Sequence, residues 1–151
     1  MGRQRSQPQS VSVTTRLIDW QAASRVVEAA AEHAKELGIA VNVAVVDAGG
    51  NLAAFLRMPG APLHSIQIAI DKAYTAASFG LPTGQWGEAL RGHSQAVRDG
   101  IVLQPRFIAF GGGLPIVERE YRIGGVGVSG GTEHEDEKCA LAGLRAIGLG
   151  E

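Results

Sequence analysis

The sequence predicts an α+β fold, a mostly antiparallel sheet with helices against it. Three observations carry that expectation. Short β-prone runs follow one another through turn residues rather than through helices, and strands joined this way pair antiparallel. Segments with helical apolar spacing stand at both ends and in the middle of the chain, and helices must cover at least one face of the sheet. The strict strand–helix alternation of a doubly wound nucleotide fold is missing.

The elements follow in order. Residues 16–37, RLIDWQAASRVVEAAAEHAKEL, read as an amphipathic helix, with Leu17, Trp20, Val27, Ala30, Ala31 and Ala34 on one face and Gly38 as its C-cap. AVNVAVVDAGG (40–50) is a strand running into the turn Asp47-Ala48-Gly49-Gly50, and NLAAFLRM returns as a second strand. Pro59, Gly60 and Pro62 break the chain. Helices are expected at about 64–79 and 84–98, separated by Gly80 and Pro82. A third strand falls around RFIAF, within 101–110, and Gly111–Gly113 turn it. LPIVE and RIGGVGVS supply two more strands. A last helix runs from about Thr132 to Ile147.

With 151 residues the chain suits one domain, here 15–151, preceded by a polar tail at 1–14 expected to be disordered. The start has no apolar core of a secretory signal, which points to a cytoplasmic protein. No run reaches the length of a membrane span. A formal net charge of −1 gives no basic face for a nucleic-acid backbone. The single cysteine, Cys139, excludes an intrachain disulfide and reads as core beside Ala140, Leu141 and Ala142.

The glycine-rich corner GGVGVSGGTEHEDE contains GVGVSG, a nominal dinucleotide pattern. Its first glycines lie inside a strand, and that strand sits among hairpins, so the context fails. Gly130 and Gly131 turn the backbone, and Thr132 with Glu135 forms a capping box at the helix start. The amides of Ser129, Gly130 and Gly131 can also serve a carboxylate approaching from the side. His33 sits among alanines, either as a half-buried structural residue or as a haem ligand or general base. Arg57 ends a strand beside the Pro/Gly loop, where it either holds a carboxylate or pairs with Asp47 across the hairpin. His64 opens the second helix in a polar cluster with Ser65, Asp71, Lys72 and Tyr74. His93 reads as surface, and no established metal-binding spacing is present.

Three ordered stretches together resemble the GlcG/HbpS-like family, also called the haem-degrading or DUF336 domain, which includes the C-terminal domain of PduO-type proteins. They are VAVVDAGGNLAAFLRMPGAPLHSIQIAIDKAYTAASF, GGGLPI and IGGVGVSGGTEHEDEKCALAGLRAIG, within about residues 17–150. The resemblance implies a profilin-like fold with a five-stranded antiparallel sheet flanked by helices. It also implies a homo-oligomer and, for some members, haem binding linked to haem degradation or redox sensing. It makes His33 the counterpart of a first-helix histidine that ligates haem iron. Departures from the family pattern are Pro59 in RMPG, Glu135 in place of a glutamine, and the charged hairpin Glu118–Tyr121.

Three functions stand open on these residues. The first is a haem-binding protein with His33 on the iron. The second is a cofactor-independent enzyme for a small polar or carboxylated metabolite. There His33, His64 or Glu135 would move protons, while Arg57 and the Ser129–Gly131 amides would hold the anion. The third is an oligomeric accessory protein without chemistry.

Overall fold

Asp19 fixes where the first helix begins. The structure, a computed structural model, describes residues 8–150. Of the tail expected over 1–14, residues 1–7 lie outside the described ones, and 8–14 run exposed without helix or strand. The Asp19 carboxylate accepts the amides of Gln21 and Ala22, so α1 spans Trp20–Leu37 rather than starting at residue 16. Residues ahead of it are tied to the sheet by the Ile18 amide, which donates to Ile123 O at 3.0 Å. Leu17 and Trp20, expected on the buried face, are therefore exposed; Ala23 and Val26 take that place. Gly38, at φ 75°, closes α1 by donating to Ala34 and Lys35 carbonyls.

Strand β1 (Asn42–Asp47) turns into β2 (Leu52–Arg57) through an Asx turn. The Asp47 carboxylate accepts the amides of Gly49 at 2.8 Å and Asn51 at 3.0 Å. Helix α2 covers His64–Phe79 and ends at Gly80. The single helix expected over 84–98 is instead broken. A 3₁₀ turn precedes the short α3 (Trp86–Ala89), another follows it, and α4 runs Gln95–Ile101 from an Ser94 cap. Strands β3 (Gly113–Glu118) and β4 (Tyr121–Ser129) form the second hairpin, and α5 (Glu133–Ala146) ends the domain. The Thr132–Glu135 capping box is formed, and Cys139 is buried in the core.

The strand expected at RFIAF does not form. The Thr75 hydroxyl donates to Arg106 O at 2.8 Å and accepts the Ile108 amide at 3.1 Å, taking backbone groups that a ladder would use. Arg106 stands at φ 67°, outside strand geometry. Phe107 packs edge-on against Trp86 and Phe79. The sheet among the described residues is thus four-stranded and antiparallel, in the order β2-β1-β4-β3.

Helices cover both faces of this sheet. Val43, Val45, Val126 and Val128 point to one side, where α1 and α5 close the larger core through Ala23, Val26, Ala30, Cys139, Ala140 and Leu144. Ala44 and Val46 point to the other side, against Ala69, Ala73 and Ala77 of α2. Gly125 and Gly127 face α2 as well. A Cβ on Gly127 would collide with Ala69 O, and one on Gly125 with Ala73 O. The glycines of GVGVSG therefore let a helix lie directly on strand backbone.

Candidate functional site

Helices α1 and α5 cross closely at Gly143, where an added Cβ would stand 2.8 Å from Val26 Cγ1. The same two helices line an open groove of about 600 Å³, formed by His33, Leu37, Lys138, Leu141, Ala142 and Arg145. Small-molecule sites usually run to roughly 300–1,000 Å³. The lining follows from helical spacing. His33 and Leu37 are one turn apart on α1, and Lys138, Leu141, Ala142 and Arg145 share one stripe of α5. By contrast, the cavity beside Tyr74, Phe79 and Phe107 is about 220 Å³ and holds no histidine or cysteine.

His33 is the one imidazole in the groove, with 31% of its side chain exposed. Its Nδ1 lies 3.5 Å from Glu36 Oε2 one turn along. The Glu36 carboxylate lies on the Nδ1 side of the ring, which leaves Nε2 as the nitrogen turned to other partners. Leu37, Leu141 and Ala142 give the groove an apolar surface, with the two cations on α5. Among the described residues no group of three or more His, Cys, Asp or Glu side chains is gathered to hold a bare metal ion. Haem iron, already bound by its macrocycle, requires less: an axial ligand such as one histidine, and an apolar surface for the ring. The residues present fit that group.

The other predicted site residues collect elsewhere, at one end of the sheet. Register places Arg57 and Ser129 on either side of Asn42. Arg57, the Gly131 amide and Glu135 are bonded within the fold, while the Asn42 Oδ1 between the strands is buried with no partner among the described residues. Arg57 donates through Nη2 to Ala61 O at 2.8 Å, so the pairing with Asp47 is not made; Asp47 sits at the opposite end of the strands. The Gly131 amide donates to Asp136 Oδ1 at 2.8 Å, which puts an internal carboxylate where an external one was expected. Glu135 Oε1 accepts the Thr132 amide at 3.0 Å, and the Thr132 bonds hold its carboxyl below the usual range. His64 is exposed at the start of α2. His33 is not in this cluster.

Two residues that bind this end together were not singled out from sequence as a pair. Lys72 is 1% exposed; its Nζ donates to Val128 O at 2.8 Å and to Asp136 Oδ2 at 3.1 Å, tying α2, β4 and α5 together. Burial pushes the Lys72 ammonium below the ordinary lysine value, against the opposing pull of Asp136 and Glu133. Burial raises Asp136, against the opposing effects of Lys72 and the glycine amides. A Cβ on Gly112 would meet Val128 O at 2.5 Å and Lys72 Nζ at 2.6 Å, so glycine backbone packs directly on the pair. The pair is a fold-holding element. Cys139 is out of play as a nucleophile too: burial pushes its thiol up to about 11.

Comparison with known proteins follows the same lines. The model of a family described as haem-degrading, HbpS-like proteins matches residues 18–145. A crystal structure of Klebsiella pneumoniae protein ORFY, of the DUF336 family, superposes with a TM-score of 0.83 at 34% identity, covering 94% of this chain and 98% of that one. The crystal structure of a PduOC:haem complex superposes at 0.80 with 31% identity, covering 89% and 97%. The corrinoid adenosyltransferase PduO of Salmonella typhimurium is 31% identical over 143 residues, which is 95% of this chain but 43% of that protein. This chain therefore spans under half of that enzyme. The fold, the matched family model and these relatives agree, and the chain belongs to the GlcG/HbpS/PduO-C (DUF336) family.

Proposed function

We propose that this protein binds haem in the α1/α5 groove, with His33 Nε2 as an axial ligand of the iron. The observation that carries the reading is the placement of His33: one partly exposed imidazole, its Nδ1 3.5 Å from Glu36 Oε2, on the wall of an apolar groove. The similarity to a PduOC:haem complex and to the HbpS-like family supports it. When bound, the iron supplies the redox chemistry, in haem degradation or redox sensing. The chain's own residues do three things. His33 supplies the nitrogen donor, Glu36 sets a carboxylate on the Nδ1 side of the ring, and Leu37, Leu141 and Ala142 keep water from the macrocycle. The groove is open along one side, and burial of that side against a second copy in a homo-oligomer would shield a bound ring further.

Titration with haemin, followed by absorbance, tests the reading. A saturable one-to-one Soret shift is expected, with affinity falling at least about tenfold in His33→Ala. An unchanged titration in that variant rejects His33 as the ligand, and the absence of any saturable shift rejects haem. The acid–base enzyme has less support from the geometry, since Glu135 and the Gly131 amide are bonded within the fold and Arg57 gives Nη2 to Ala61 O.

A further inference from the structure

The groove carries a feature that an iron ligand and an apolar surface do not explain: two cations. Lys138 and Arg145 are seven residues apart on α5, so they project from the same stripe, about 10 Å apart along the helix axis. The ion pairs formed among the described residues involve Arg16, His33, Lys72 and Arg106, and neither groove cation is in one. Arg145 has one internal bond, from Nε to Gly150 O at 3.4 Å, which leaves its terminal nitrogens as donors. Leu141 and Ala142 lie between the cations in sequence and share their groove-facing stripe. The pattern is positive, apolar, positive, opposite an imidazole.

We propose that Lys138 and Arg145 are a carboxylate clamp, selecting a planar ligand that has an apolar body and two separated acidic side arms. The inference rests on the haem reading and names what that reading leaves open. The propionates of a haem fit this description, and their esters or decarboxylated analogues do not. Arginine offers a carboxylate a two-pronged donor, while lysine offers a mobile point charge. The clamp fixes which edge of the ring meets α5; His33 fixes the iron from α1. Because both cations are exposed, their pull is screened by salt.

Paired titrations test the clamp: haemin and haemin dimethyl ester, each against the wild-type protein, Lys138→Gln/Arg145→Gln, and His33→Ala. The wild type is expected to bind the free acid about tenfold or more tightly than the ester, with the preference shrinking at high salt. In the double variant the preference collapses toward one while the Soret position stays, because iron ligation is kept. Far-UV circular dichroism checks that these exposed substitutions leave the fold intact. A double variant that still prefers the free acid overturns the clamp. Loss of haemin binding by His33→Ala with the double variant unchanged upholds the ligand and sinks the clamp. The reverse pattern, haemin affinity and Soret position unchanged in His33→Ala but discrimination lost in the double variant, upholds the clamp and sinks the ligand. A wild type that binds neither compound overturns both.

Discussion

Lys72 puts an ammonium where water does not reach, and its position makes a sharp prediction. Removing one member of a buried ion pair leaves the other charged and unpaired, which costs about 3–5 kcal/mol. Lys72→Met should therefore destabilise the fold by roughly that much in urea unfolding. Adding Asp136→Asn removes the stranded charge while keeping an oxygen for the Gly131 amide. The double variant should be more stable than Lys72→Met alone. If Asp136→Asn instead adds its full cost to that of Lys72→Met, the two side chains are not energetically coupled and the ion pair is not what holds this corner. Part of this was legible in the sequence. Ser65 and Lys72 share a face of the second helix, and in the structure Ala69, Ala73 and Ala76 are buried with them. The partner was not legible, because Asp136 lies 64 residues away and its side chain resembled one more acid in a helix's first turn.

Strand β4 and helix α2 show how one element dictates the composition of another. The helix presents Ala69, Ala73 and Ala77 to the sheet, and the strand answers with Gly125 and Gly127. Backbone lies against backbone, so a single methyl has nowhere to go. Gly127→Ala should destabilise by about 1–3 kcal/mol through overpacking, read as a lower urea midpoint with an unchanged slope. A neutral Gly127→Ala would mean that α2 can lift off the strand. The glycines were visible in sequence, and the failed dinucleotide context correctly placed them inside a strand. Their reason was not visible, since it lies in a helix more than 45 residues earlier. The same distance problem produced the unformed fifth strand. RFIAF has strand composition, but the Thr75 hydroxyl claims its backbone from another element. The first helix misled more locally: Leu17 and Trp20 match the apolar spacing, yet Asp19 caps the helix after one and before the other.

At the scale of the whole molecule, the groove is a product of closure. Helix α1 (Trp20–Leu37) and helix α5 (Glu133–Ala146) come from opposite ends of the chain and pack side by side on one face of the sheet. His33 could be nominated from sequence, because it is an isolated imidazole on an alanine-rich helix. Lys138 and Arg145 could not, because nothing local says that their stripe faces that histidine. A site built this way does not exist in the unfolded chain, so any ligand held there must stabilise the fold by mass action. At a free haemin concentration about 100 times the dissociation constant, the gain is about 2.7 kcal/mol. For a chain of this length that corresponds to a rise of roughly 5–10 °C in the unfolding midpoint. His33→Ala should unfold near the wild-type temperature without haemin, since its side chain is partly exposed, and should show a smaller rise with it. Differential scanning calorimetry across a haemin series measures both. Equal rises in wild type and His33→Ala would place the ligand outside the α1/α5 groove or make His33 a bystander within it. A rise abolished in His33→Ala, with the apo midpoint unmoved, would tie the ligand to the one place where the two ends of the chain meet.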